Sequence, residues 1–166
     1  DYLPNIDAVQ YFCRDVLPLI KKEIGDVKLY ILGGRPTAAV KRLGENESVV
    51  VSGFVEDMRP FLTNSAACVA PLRIARGIQN KILEAMASGV PVITTTLGAS
   101  GIGARDGEEM IIADEENAMV ERLATILADE LTYNKIAKNA RKLIEEKYDW
   151  KIIVKKLEGV YSSVIN

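Results

Sequence analysis

The sequence predicts an α/β fold in which a parallel β-sheet is covered by helices on both faces. Three observations lead there. Short apolar runs occur at 27–32, 48–52, 66–70 and 90–94. Turn residues follow them: GGRP at 33–36, Gly53, and Pro71. The stretches between them carry helical periodicity. Continuous apolar strands alternating with helical patterns read as βαβ units, whose crossovers bury a parallel sheet on both sides.

The elements follow in chain order. Ile6, Val9, Tyr11, Phe12, Val16 and Leu17 have the spacing of an amphipathic helix. Pro18 should kink it, because proline lacks the N–H donor and clashes with the preceding turn. Gly25 should stop it. After the first strand and the GGRP turn, residues 37–44 read as a short helix. The second strand at 48–52 leads through GFVED to a helix near 57–64, with Phe61 and Leu62 facing inward. The third strand at 66–70 ends at Pro71, and a loop over 72–79 enters a helix at 80–88 that Gly89 terminates. Pro91 suits the first positions of the fourth strand. Residues 97–107 read as a loop and 110–113 as a weak fifth strand. Three helical patterns close the chain at about 114–129, 132–147 and 150–164. In the last, Trp150, Ile153, Val154, Leu157, Val160, Tyr161 and Val164 form one apolar stripe.

Length and composition exclude several classes. A chain of 166 residues suits one domain and can bury a core. At 48% hydrophobic and 27% charged it is not disordered. A net charge of −2 argues against nucleic acid as a partner. There is no histidine, so neither a Ser-His-Asp device nor a His/Cys metal site can form, and no metal is expected. A general acid or base must be Asp, Glu, Lys, Tyr or Cys, and no single catalytic residue stands out. Cys13 and Cys68 read as reduced, buried thiols. No apolar run approaches 18 residues and no signal-peptide pattern is present, so a cytoplasmic location is expected. The opening DYLPNIDA reads like the middle of a domain rather than its start.

In open parallel sheets, ligands bind beyond the carboxyl ends of the strands. The loops at 33–36, 53–56, 71–80 and 95–103 are therefore the ones to watch. The stretch PLRIARGIQNKILEAMASGVPVITT (71–95) resembles the signature of the retaining glycosyltransferase family 4, or group 1, with the GT-B fold. Leu83, Glu84, Ala85, Met86, Ala87, Gly89, Pro91 and Val92 match it in order. YILGGRP (30–36), VVVSGFVEDMRPFL (49–62) and ACVAPL (67–72) resemble the family's neighbouring segments. The resemblance covers essentially the whole chain. It implies the Rossmann-like C-terminal half of a GT-B enzyme over residues 1–166. One departure matters: the family's two glutamates lie eight positions apart, and Arg76 stands where the first should fall. Arg76 cannot accept a hydrogen bond, but it can hold a phosphate or carboxylate in its fork. The variant is similar to sugar transferases of bacterial exopolysaccharide systems.

A nucleotide sugar presents a base, a ribose diol and a diphosphate. The resemblance implies ribose contact for Glu84, since a carboxylate accepts from both hydroxyls. By spacing alone, Glu84 also fits a solvated helix face paired with Lys81. A diphosphate wants backbone N–H groups at a helix N-terminus and a cation. Gly77, Ile78, Gln79 and Asn80 lead into that helix, and Lys81 lies in its first turn. A plain turn and a solvated lysine are the alternative. The resemblance places the base against Phe54 and Val55, although Phe54 could equally pack the core. Gly33, Gly34 and Arg35 belong to the same rim, where glycine permits close backbone approach. They do not form a GxGxxG fingerprint, so no nicotinamide cofactor is expected. The acidic run DGEE (106–109) and the lysines at 135, 138, 142 and 147 read as solvated surface.

The resemblance implies a UDP- or GDP-sugar as substrate, no cofactor, and an N-terminal acceptor domain of the same protein as partner. The fragment alone is expected to be inactive. Peripheral contact with the inner face of the membrane and self-association of the fragment stay open. The first, central strand of the doubly wound order has no counterpart before the 6–17 helix. A sugar-nucleotide epimerase of the same fold and a non-catalytic interaction domain are the competing readings. The signature speaks against the first, and Arg76 speaks for the second.

Overall fold

The computed structural model describes residues 2–165, with side chains for residues 2–163. Helix α1 (Leu3–Tyr11) opens with Pro4, whose missing N–H falls where no intrahelical bond is due. The chain stays helical up to and past Pro18, but Phe12–Val16 widens into a π turn, in which the Leu17 N–H donates five residues back to the Phe12 carbonyl. Helix α2 (Leu17–Glu23) resumes with Pro18 in its first turn. The predicted kink thus takes the form of a π segment. Pro18 cannot donate, and the wider turn absorbs its ring. Gly25, at φ +99°, ends the helix as expected.

The remaining elements are β1 (Leu29–Leu32), α3 (Ala38–Leu43), β2 (Val49–Gly53), α4 (Arg59–Thr63), β3 (Cys68–Ala70), α5 (Asn80–Ala87), β4 (Val92–Thr94), α6 (Thr96–Ala99), β5 (Ile111–Ile112), α7 (Glu116–Ala128), α8 (Glu130–Lys147) and α9 (Trp150–Ile165). Thr37 caps α3, accepting from the Val40 amide at 3.3 Å. Helix α6 lies where the sequence reads as loop. Thr95 caps it, accepting from the Gly98 amide at 3.1 Å. Four residues are too short a run to show helical periodicity.

Every strand pairing is parallel. The strands form two sheets, β1–β2 and β3–β4–β5. One apolar cluster spans the same face of both: Phe12, Val16, Leu17 and Ile20 meet Val49, Ile93, Ile111 and Met119. On the opposite face, Ile82 and Met86 of α5 and Ala140 and Leu143 of α8 pack on Ala70 and Val92. Helices therefore cover both faces, as the alternating pattern requires. Ile82, Met86 and Ile93 are fully buried, and each contributes roughly 1.5–3 kcal/mol by leaving water. The cysteines are free, and burial pushes both thiols up to about 11.

The expectation for the DGEE run needs correction, whereas α4 turns its apolar side chains inward half-buried and α9 leaves its stripe exposed. Helix α4 has no fully buried residue. Leu62 packs half-buried beside the second cluster, while Phe61 lies 6.3 Å from the Tyr30 ring. The DGEE run is not simply solvated. Glu109 is buried and accepts from the Arg105 amide at 2.8 Å, and Asp106 accepts from the Ile112 amide and Arg122, both at 2.8 Å. Those carboxylates satisfy backbone donors where β5 is too short to do so. Glu108 meets Lys135, and Lys147 donates to the Gly103 carbonyl. The stripe on α9 faces outward: Trp150, Leu157, Val160 and Tyr161 are all more than half exposed. The side chain of Val164 lies outside the described residues.

Candidate functional site

Because all five strands run the same way, their carboxyl ends share one rim. Gly33 follows β1 and Gly53 ends β2. The Gly33 amide donates to the Gly53 carbonyl at 3.0 Å, which ties the GGR and GFV loops together. A Cβ on Gly34 would lie 3.8 Å from Phe54 Cδ2, so these two are neighbours. Arg35 sits at φ +52°, the one non-glycine residue with positive φ among the described residues. That conformation costs an L-residue roughly 1–2 kcal/mol. Phe54 is 80% exposed. The core-packing alternative for it is overturned, because the left-handed turn at Gly53 (φ +72°) directs the chain outward. Val55 is half-buried beside it.

The second group of residues surrounds the start of α5. Gly77 adopts φ +64°. The Gln79 side chain folds back, donating to the Arg76 carbonyl at 3.2 Å and the Gly77 carbonyl at 3.1 Å. It therefore closes the turn instead of capping the helix, and no side chain caps α5. The first intrahelical bonds are made by the Ile82 and Leu83 amides, both to Gln79. This leaves the amino end of the helix as a patch of partial positive charge. Glu84 lies one turn beyond Asn80, on the exposed face opposite Ile82, Ala85 and Met86. Among the described residues its carboxylate makes no hydrogen bond or ion pair. The considered Lys81–Glu84 pair does not form. The side chain of Arg76 is likewise exposed and without a protein partner, and Ile78 is exposed beside it.

Lys81 departs from both readings made of it. It is half-buried, and its Nζ donates to Asn5 Oδ1 on α1. Burial lowers its pKa. Helix α1 lies across the first turn of α5 and offers an amide oxygen to a cation that would otherwise be desolvated alone. Lys81 is thus neither a solvated lysine nor a charge standing free before the helix end.

The residues that secure the rim were not legible beforehand. Thr94 Oγ1 donates to the Ala70 carbonyl at 2.7 Å, and Thr95 Oγ1 to the Leu72 carbonyl at 2.5 Å. Both hydroxyls are buried and pin the base of the 71–79 loop to β4. Two threonines ending an apolar strand were the available signal. Arg73 donates to Asp7, with Nε 3.0 Å from Oδ2, and its guanidinium lies 4.5 Å from the Tyr11 ring centroid. That pair is separated by 66 positions and left no local signal. The hydrogen bond from Arg73 holds Asp7 below the usual carboxylate range. Burial, with Glu116 beside the hydroxyl, pushes Tyr11 up to about 12.

Chemically, the rim offers an anion-accepting helix end, a free carboxylate one turn away, an open guanidinium and an exposed aromatic ring. Such a set suits a ligand with negative charge, hydroxyls and a flat apolar part. No three His, Cys, Asp or Glu side chains gather at metal-binding range among the described residues.

Known proteins resemble the chain at three levels. It is 30% identical over 148 residues to CapM of Staphylococcus aureus, a capsular polysaccharide biosynthesis glycosyltransferase, covering 84% of this chain and 39% of that protein. The chain spans about two-fifths of the length of three curated relatives it matches and about one-fifth of a fourth. Among solved structures, HepE of Anabaena in complex with UDP superposes with a TM-score of 0.72 at 20% identity, over 82% of this chain and 41% of that one. The C-terminal domain of LpcC, a glycosyl transferase group 1 family protein of Francisella tularensis, gives 0.71 at 22% identity, over 86% of this chain and 80% of that one. These likenesses show the fold, that of GT-B C-terminal domains. Residues 2–129 match the family model described as glycosyl transferases group 1, and the chain belongs to that family.

Proposed function

We propose that this chain is the donor-binding half of a retaining glycosyltransferase that moves a hexose-type sugar from a UDP- or GDP-sugar to a glycan or lipid-linked acceptor. The observation that carries the reading is Glu84. It is an exposed carboxylate without a polar partner among the described residues, one turn beyond the uncapped amino end of α5, at the carboxyl ends of parallel strands. In this reading the amides at Asn80 and Lys81 face the diphosphate, Glu84 accepts from the ribose hydroxyls, and Phe54 and Val55 lie toward the base. Gly33, Gly34 and Arg35 complete the rim on the other half-sheet. Arg76 supplies positive charge where the family carries a glutamate, and it reaches phosphate rather than a sugar hydroxyl. The UDP in the HepE structure and the biosynthetic role in the name of CapM support a nucleotide-sugar donor and a role in polysaccharide synthesis. Transfer itself needs an acceptor domain, and the fragment alone is inactive. The reading places the reaction in the cytoplasm, at the inner face of the membrane when the acceptor is lipid-linked.

Calorimetric titration of the folded domain with UDP, GDP, ADP and their sugar conjugates, beside Glu84→Ala, tests this. Binding of one base, weakened at least ~10-fold in the variant by loss of charge-assisted hydrogen bonds, is the expected result. Equal binding by the variant removes Glu84 from the site. The unpartnered Arg76 also favours a second reading, a silent relative that binds without transferring. Donor turnover by the full-length enzyme, abolished in Arg76→Ala, excludes it.

A further inference from the structure

The loop between β3 and α5 is fixed at both ends. At its start the buried Thr95 Oγ1 donates to the Leu72 carbonyl at 2.5 Å. At its end the Gln79 side chain closes on the Arg76 and Gly77 carbonyls. Between them, Arg73 ties the segment 73–78 to α1. Among the described residues, no other member of that segment makes a hydrogen bond to a residue outside the loop.

The grip on Arg73 is two-sided. Asp7 holds the edge of the guanidinium: Nε lies 3.0 Å from Oδ2, and Nη2 donates to Oδ1. Tyr11 holds its face, with the ring centroid 4.5 Å from the guanidinium carbon. Residues four apart share a helix face, so one stripe of α1 sets both the position and the plane of the rigid fork. That stripe is itself anchored. Tyr11 is buried and its hydroxyl bonds to Glu116, the first residue of α7. Ala8 and Phe12 beside it are buried as well. Two residues before Asp7, Asn5 accepts from Lys81 in the first turn of α5. One rooted helix therefore registers both the loop and the helix that follows it.

Stability is not what this arrangement supplies. The Arg73 side chain is 46% exposed and that of Asp7 24%, and ion pairs so open to water add little to folding. Position is what they fix. The fork and the flat face of Arg73 are both engaged by α1, so its role runs through the loop rather than through contact with a ligand. Released from α1, it would free the segment that carries Arg76 and Gly77 to shift against the amino end of α5.

We infer that Arg73 is a positioning residue for the nucleotide. Clamped by Asp7 and Tyr11, it holds residues 74–78 so that Arg76 and the first amides of α5 meet the diphosphate together. The inference rests on the donor-binding reading above.

The test uses the full-length protein and two readouts. Calorimetry with UDP and GDP compares the parent with Asp7→Asn, Arg73→Gln, their double variant and Glu84→Ala. Trypsin cleavage after Arg76, without nucleotide, compares the parent with Asp7→Asn. Ile136→Val, a change in the core on α8, is the control for lost stability. Each single variant of the pair should weaken nucleotide binding by about 10-fold and the double no further, because the two partners act as one unit. The exchanged pair, Asp7→Arg with Arg73→Asp, rebuilds the tie and should bind more tightly than either single. Cleavage after Arg76 should quicken by about 10-fold in Asp7→Asn and stay unchanged in Ile136→Val. Binding retained in Asp7→Asn but weakened in Arg73→Gln overturns the proposal, because a freed Arg73 then serves the ligand itself. Parent-like binding in both, with loss in Glu84→Ala, overturns it and leaves the donor reading standing. No binding of either nucleotide by the folded parent removes the donor reading and the proposal with it.

Discussion

Gly98 in α6 offers a test of how the rim is built. A Cβ placed there would fall well inside contact distance of Thr94 Oγ1, 3.5 Å from Thr94 Cβ and 3.4 Å from the Ala70 carbonyl. The φ of Gly98 is not in the left-handed region, so Ala fails for lack of space rather than for its backbone. To admit a methyl group, Thr94 must swing away and give up its 2.7 Å bond to Ala70. Overpacking costs about 1–3 kcal/mol, and the lost buried hydrogen bond about 0.5–1.5 kcal/mol. Gly98→Ala should therefore destabilise by roughly 1.5–4.5 kcal/mol. For a chain of this size each kcal/mol shifts Tm by about 2–4 °C. Thr94→Ala removes the obstructing oxygen, and Ala70 keeps its bond from the Leu72 amide at 2.8 Å. The double variant should recover at least ~1 kcal/mol relative to the sum of the singles, as contacting sites do. Urea unfolding of the four proteins measures this. A Gly98→Ala stability within ~0.5 kcal/mol of the parent, the range of an ordinary surface change, would refute the reasoning. So would additivity in the cycle.

Other expectations follow from the same contacts. Glu84→Ala should leave the urea midpoint within ~0.5 kcal/mol of the parent, because the side chain is exposed and makes no hydrogen bond or ion pair among the described residues. Asp7 has a folded-state pKa below its ordinary 3.8, so its pair with Arg73 adds stability above that value, which is lost as pH falls through the lowered one. Asp7→Asn should flatten the acid limb of the stability curve below about pH 4 and leave its alkaline limb unchanged. Tyr11 is raised from 10.0 to about 12, so its contribution holds below pH 10 and is lost as pH climbs toward 12. Absorbance titration should show one of the six tyrosines ionising near pH 12 and vanishing in Tyr11→Phe. Both thiols, raised to about 11, should react slowly with a disulfide reagent at pH 8 and quickly once the chain unfolds.

Much of this molecule could be read from the chain because its signals are local. Apolar runs bounded by Gly and Pro located five strands to within two residues at each end, and the parallel sense followed from the helices between them. What stayed hidden depends on distant residues meeting. Lys81 looked like a lone cation in a helix start, and only α1, 76 positions earlier, reveals its partner. The DGEE run looked hydrophilic because sequence cannot show that β5 leaves backbone donors for its carboxylates to satisfy. Phe54 was undecided between core and rim. The left-handed turn at the preceding glycine decides it, and a hydrophobicity pattern does not contain that dihedral.

The π segment at Phe12–Val16 acts as a phase shifter. An α-helix advances about 100° per residue, and the extra residue in the wide turn offsets everything before it by that angle relative to everything after. Asn5 and Asp7, which grip the α5 and β3 ends, stand before the shift. Leu17 and Ile20, which fill the core, stand after it. Deleting one residue between them would restore a uniform helix and rotate the two grips away from Lys81 and Arg73 while the core side stayed seated. The alignment of the rim is therefore set by a count of residues as much as by their identities.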